Sequence, residues 1–189
     1  MKSGKVKENL TIAATDADLA QRLCRGEPQA FHALIDAYGN DLYRLALRLA
    51  DRPEDAEDLM QETLSGAYHG IDKFSGESSL KTWLYRILVR QSARMIRQRM
   101  QERTWLRQAG REIREHAGDG ISRQDLSADL ARALRELPAD QRTVIVLREL
   151  QGLSYAEIAA ILDLPQGTVE SRIHRARKEL QTWLQDYLH

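Results

Sequence analysis

The chain has one cysteine, no net charge and no long apolar run in its 189 residues. Each scarcity excludes something. Cys24 alone cannot close an internal disulfide or build a cysteine-rich zinc site, so a reducing cytoplasm is the expected setting. As a free thiol it is expected to be a small, buried packing residue. No apolar stretch approaches the length of a membrane span. The first twenty residues carry lysines but neither an apolar core nor a cleavage site, so no signal peptide is expected. His32, His69, His116, His174 and His189 are scattered, without an H-E-x-x-H pair, a Gly-rich phosphate loop or a nucleophile motif. No enzyme, cofactor or metal site is expected. No stretch alternates with β-branched residues in the manner of a strand, so no sheet is expected either.

What is present is a soluble, charge-segregated composition. Hydrophobic residues make up 42% and charged residues 30%, in a chain long enough for one ordinary domain or two small ones. Residues 1–80 carry a net charge of −5, residues 81–114 of +8, residues 115–165 of −4 and residues 166–178 of +3. Two basic blocks set between acidic ones point to two polyanion-facing surfaces, with acidic faces turned elsewhere.

The apolar pattern is helical throughout. Phe31, Leu34, Ile35, Tyr38, Leu42, Leu45, Ala46 and Leu49 recur at three- and four-residue steps, as do Ala56, Leu59, Met60, Thr63, Leu64, Ala67 and Ile71. Pro53 suits the first turn of the second of these helices, and Glu54, Asp55, Glu57 and Asp58 favour its positive end. A Gly/Ser loop, "FSGESS", follows. Ser78 or Ser79 then caps a long basic helix with Leu80, Trp83, Leu84, Ile87, Leu88 and Met95 inward, extending to about Ala109. Periodicity thins between Arg99 and Ser127. The expected architecture is therefore all-α: a tail over 1–15, a helical domain over 16–100, a flexible linker over 101–127 and a second helical domain over 128–189.

The second domain carries the sharpest local signal. Ser154 with Glu157 spells the capping box S-x-x-E, opening a short helix to about Leu162. A turn through Leu164 and Pro165 leads to a helix from about Gln166, and together they read as a helix-turn-helix. Val169, Ile173, Ala176 and Leu180 share the side that packs inward. Gly167, Ser171, His174, Arg175 and Lys178 face the other way, with Arg172 on the flank. A major groove admits one helix, whose N-terminal half reaches base edges. Thr168 suits a phosphate near the helix N-terminus. Taken alone, this run of charge would be an ordinary solvated face. The capping box and the turn favour DNA.

The stretch "LPADQRTVIVLRELQGLSYAEIAAILDLPQGTVESRIHRARKEL" resembles region 4 of the extracytoplasmic function (ECF) sigma factors of RNA polymerase. "AFHALIDAYGNDLYRLALRLADRPEDAEDLMQETLSGAYHGIDKFSGESSLKTWLYRI" resembles their region 2. The resemblance runs from about Asp18 to Leu184, with two linked motifs in order. It implies a sigma factor that binds core polymerase through the β′ clamp helices and the β flap and directs initiation at particular promoters. Asp55, Asp58, Gln61 and Glu62 would then meet the clamp helices. Ser75, Ser78, Lys81, Trp83, Tyr85, Arg86, Arg90, Arg94 and Arg97 would serve −10 recognition and melting, the loop and aromatics for an unstacked base and the cations for phosphates. Trp83 also lies on the apolar stripe and leans to the core. Thr168, Ser171, Arg172, His174, Arg175 and Lys178 would read the −35 duplex. The resemblance further implies an anti-sigma partner, able to hold the protein at the membrane and to clamp the two domains inactive. The chain departs from the family pattern at Arg90 and Arg94, where many members have asparagine and aspartate. It departs again at Leu64, where an aromatic is common, and at Glu170, where some have a basic residue. The competing reading is a stand-alone helix-turn-helix regulator that binds DNA without polymerase.

Overall fold

The computed structural model describes residues 16–108 and 126–188, and every regular element among them is helical. The expected all-α architecture holds. Helix α1 covers 16–24, α2 Pro28–Leu49, α3 Pro53–Gly70, α4 Leu80–Gln108, α5 Leu126–Glu136, α6 Ala139–Ile145, α7 Tyr155–Leu162 and α8 Gln166–Leu188. No helix among the described residues is long and apolar enough to cross a membrane.

Helices α2, α3 and α4 pack on one another. Pro28 and Pro53 sit in the first turns of α2 and α3, where a missing N–H is no loss. The stripe read from the sequence turns inward: Leu34, Leu42, Leu45, Leu59, Leu80, Leu84 and Leu88 are buried. Gly66 sits where α3 lies close on α4. A Cβ there would stand 3.1 Å from Ile87 Cγ2.

The start of α4 is capped twice. Ser79, not Ser78, supplies the local cap, its Oγ accepting from the Thr82 N–H at 3.1 Å. Asp16 reaches in from α1, and its Oδ2 accepts the Leu80 N–H at 3.1 Å. The other oxygen of Asp16 accepts from the Tyr38 hydroxyl. Burial, then this bond to Asp16, pushes the Tyr38 phenol above its ordinary pKa, so it remains a donor. Cys24 departs from expectation. It is exposed, its thiol donating to the Ile71 carbonyl at 3.5 Å, because Leu19, Ala20 and Leu23 take the inward face of α1.

In the second unit α8 packs on α5, α6 and α7. Helix α6 runs on into a π-helical turn, Val146–Leu150, which ends where Gly152 takes φ +69°, a value costly for any residue with a Cβ. The linker expected from residue 101 begins inside α4, which stays helical to Gln108. The rest of that segment and the tail over 1–15 lie outside the described residues.

The two units touch. α7 lies on α4, and α6 with the π-turn lies on α2, so the buried apolar side chains form one contiguous cluster from Leu19 to Ala176.

Candidate nucleic-acid interface

The helix-turn-helix forms as its residues require. Ser154 Oγ accepts the Glu157 N–H at 3.2 Å and Glu157 Oε2 accepts the Ser154 N–H at 2.7 Å, completing the capping box. Asp163 closes α7 in the left-handed conformation, φ 54°, and Pro165 leads into α8. Val169, Ile173 and Ala176 are buried against the rest of the unit, with Leu180 partly so. Gly167, His174, Arg175 and Lys178 are exposed on the outer face, and Thr168 and Ser171 are half-buried at its edge. Ser171 Oγ donates to the Thr168 carbonyl at 2.9 Å. Arg172 behaves differently from its neighbours. Its Nε lies 3.3 Å from Asp140 Oδ2, bracing α8 against α6. Arg177 is likewise held, by Glu149 at 2.6 Å. Arg175 and Lys178 make no ion pair among the described residues, which leaves them as the outward cations.

The loop between α3 and α4 keeps Ser75, Gly76 and Glu77 exposed and Ser78 half-buried. Phe74 stands edge-on to Trp83, ring centroids 5.6 Å apart. Trp83 is half-buried and helps line a cavity of about 240 Å³ shared with Leu23, Phe31, Tyr68 and Ile71. Tyr85 is only 1% exposed. Its hydroxyl donates to Gln151 Oε1 of the second unit at 2.6 Å. Burial, then the nearby Asp41 charge, pushes its phenol above the ordinary value. The ring is closed to stacking in this arrangement.

The cations of α4 divide between two faces. Arg90, Arg94 and Arg97 are exposed, and Arg86 is half-buried with its Nε lacking a hydrogen-bond partner among the described residues. These four recur at three- and four-residue steps along one side. Lys81 lies about half a turn round the helix from Arg90. There it meets Asp41 Oδ2 at 2.5 Å and the Tyr85 ring at 5.5 Å.

Asp58, Gln61 and Glu62 are exposed and line a polar cleft of about 420 Å³ between α3 and α4, opposite Gln91, Arg94, Gln98, Arg99 and Glu102. Asp55 is not on that surface. It is 2% exposed, and both its oxygens accept from the two terminal nitrogens of Arg99, with Arg52 as a weaker neighbour at 3.3 Å. Burial raises its pKa, but the bonds from Arg99 and then Arg52 outweigh this and hold the carboxyl below its ordinary value. Asp55 thus positions Arg99, a wall of the cleft that the sequence reading did not single out. Nothing local marks Arg99, because its partner is 44 residues away.

Comparison with known proteins shows the family. Residues 34–102 match the family profile for Sigma-70 region 2, and residues 127–180 that for Sigma-70 region 4. The ECF RNA polymerase sigma-E factor of Haemophilus influenzae is 36% identical, over 90% of this chain and 96% of the relative. The chain belongs to the ECF sigma factor family. The RNA polymerase sigma-H factor of Pseudomonas aeruginosa is 32% identical, over 92% of this chain and 95% of that one. Among solved structures, the sigma factor RpoE in complex with the anti-sigma factor NepR from Bartonella quintana aligns with a TM-score of 0.69. It is 35% identical, over 82% of this ECF sigma factor and 96% of that chain. CnrH in complex with the cytosolic domain of CnrY aligns with a TM-score of 0.68 at 30% identity, over 90% and 97% of the two chains.

Proposed function

We infer that this ECF sigma factor binds core RNA polymerase and directs transcription initiation at a particular set of promoters. The observation that carries the reading is the joint presence, in family order, of the α3–α4 cleft and the helix-turn-helix on one chain. The unit over 16–100 takes the part of region 2 and the unit over 128–189 that of region 4.

The chemistry follows from the surfaces. Asp58, Gln61 and Glu62 suit a partner helix pair bearing cations, through charge-assisted bonds at the rim of the cleft. Asp55 serves as the positioning residue beneath them. The Ser/Gly loop offers hydroxyl and backbone groups to an unstacked −10 base, and the Phe74–Trp83 pair is the aromatic surface within reach. Capturing such a base offsets an unpairing cost of a few kcal/mol and shifts the duplex toward the open state. Arg86, Arg90, Arg94 and Arg97 draw phosphates to the same helix. Thr168, Ser171, His174, Arg175 and Lys178 address the −35 major groove, with Arg172 holding the recognition helix in place. No bond is made or broken by this chain. An anti-sigma factor is its expected regulator, as the relatives complexed with NepR and CnrY suggest, and the bacterial cytoplasm its expected compartment.

The test is transcription by bacterial core polymerase over a library of promoter fragments, with and without the purified chain. A subset of fragments firing only with the chain present is expected, and aligned start sites then give the −10 and −35 sequences. A chain that never binds core, yet footprints DNA alone, would be the stand-alone regulator instead.

A further inference from the structure

The cavity walled by Trp83 belongs neither to the α3–α4 cleft nor to the helix-turn-helix. We propose that it is a binding site for a small, uncharged aromatic molecule, and that such a ligand acts through Trp83 on the loop between α3 and α4. The second half rests on the promoter-reading function above. Leu23 closes the cavity from the end of α1, Phe31 faces it from α2, and Ala67, Tyr68 and Ile71 from the end of α3 and the turn after it. Its volume is about 240 Å³. An apolar cavity of about 150 Å³ holds benzene, so there is room here for a second fused ring. Phe31 and Tyr68 meet edge to face, centroids 5.5 Å apart and planes at 85°, which sets a ring face beside a ring edge. Tyr68 is 60% exposed and forms the lip.

The mouth narrows the chemistry further. Gly26 takes φ +71° in the turn from α1 to α2, and a Cβ there would meet nothing within 4 Å, so the entrance is open. Glu27 at the mouth is already paired, its Oε2 accepting from Arg22 Nε at 3.0 Å. A neutralised rim favours an uncharged ligand, because burying an unpaired charge is costly. His32 adds one directional group. Its Nδ1 donates to the Pro28 carbonyl at 3.1 Å, which leaves Nε2 of the neutral ring as an acceptor. Apolar walls with a few placed polar groups are the usual make-up of a small-molecule site. A fused aromatic ring system with one N–H fits the volume, the walls and the rim together.

Trp83 joins this cavity to the loop at both ends. Its ring stands against Phe74, where the loop begins, and its N–H donates to the carbonyl of Ser79, where the loop ends, at 3.1 Å. An occupant packed on Trp83 restricts that ring. A ligand that binds one arrangement of Trp83 better than another shifts the loop toward the shape that goes with it.

The experiment uses the full chain labelled with 5-fluorotryptophan and indole as the probe. The fluorine spectrum reports each of the three tryptophans, and the resonance lost in Trp83→Phe is that of Trp83. Indole should move the Trp83 resonance saturably and leave that of the exposed Trp105 in place. Ala67→Met and Leu23→Phe fill the cavity from opposite sides, and each should weaken indole binding by roughly tenfold with an unchanged circular dichroism spectrum. The wild-type titration decides by itself if either variant fails to fold. A Trp83 resonance that does not move overturns the site, as does an equal movement of Trp105 or a folded, filled variant that binds as wild type does. Movement on adding core polymerase or −10 DNA but not indole makes the cavity a macromolecular contact and ends the ligand reading. In transcription with core, saturating indole should change the open-complex yield of wild type by about twofold or more and leave Ala67→Met unaffected. Binding without that change overturns the action on the loop. If no promoter fires with or without indole, the sigma reading fails, and the fluorine titration still decides the site.

Discussion

Replacing Asp55 by asparagine separates a structural role from a contact with polymerase. The substitution keeps shape and removes the charge that both terminal nitrogens of Arg99 address. Breaking a buried pair by removing one partner costs about 3–5 kcal/mol. Arg99 is 28% exposed and can recover part of its hydration, which reduces the expected cost to about 2 kcal/mol. For a chain of this size that lowers Tm by roughly 4–8 °C. The pH dependence has a definite sign. The folded carboxyl titrates below its ordinary value of 3.8, because the bonds from Arg99 and Arg52 outweigh its burial. Its stabilisation is therefore full above that value and lost as pH falls through the folded one. Urea midpoints of wild type and Asp55→Asn should differ clearly at pH 7 and converge as pH falls below the ordinary carboxyl value and through the folded one. Arg99→Gln on the Asp55→Asn background should add little, as expected for two residues that act as one pair. An unchanged midpoint at pH 7 together with weakened core binding would refute the reasoning and return Asp55 to the contact surface.

Further expectations follow from the second unit. Ser154→Ala removes half of the capping box and should cost about 1 kcal/mol in urea unfolding, without changing the affinity of the first unit for core. Ile173→Ala empties a fully buried site beneath the recognition helix and should cost about 2–5 kcal/mol, read as a lower midpoint and lost −35 binding. Arg175→Ala and Lys178→Ala should weaken binding to −35 duplexes, each reducing the slope of log affinity against log salt by about 0.9 if the side chain neutralises a phosphate. An unchanged slope would move that residue off the backbone and onto a base edge. Asp16→Ala should destabilise the start of α4, detected as faster amide exchange at Leu80.

Much of this was legible locally. The apolar stripes of α2, α3 and α4, the capping box at Ser154 and the inward set of Val169, Ile173 and Ala176 all follow from three- and four-residue spacing, and the structure buries them accordingly. The outward set on α8 was readable for the same reason. What escaped depends on partners distant in sequence. Asp55 reads as a clamp-facing acid in a helix's first turn, because Arg99, the partner that buries it, lies 44 residues on. Tyr85 looked available for stacking, because Gln151 lies 66 residues on. Lys81 shares the charge of the arginines, yet its partner Asp41 lies 40 residues back. Arg172 shares the charge of its outward neighbours, while its partner Asp140 lies on another helix. Periodicity reports which side of a helix is wet, and it is silent about which wet side chain another helix will claim.

The double cap on α4 bears on where the protein can be shortened. The region 2 profile begins at residue 34, and a fragment cut by similarity would begin there too. Yet the Leu80 N–H and the Tyr38 hydroxyl both bond to Asp16, eighteen positions upstream of that boundary. Removing α1 would leave two donors in a partly buried site without their acceptor and loosen the first turn of the helix that follows the Ser/Gly loop. The smallest piece that keeps the loop in shape is thus set by where its polar groups are satisfied, and it starts no later than residue 16.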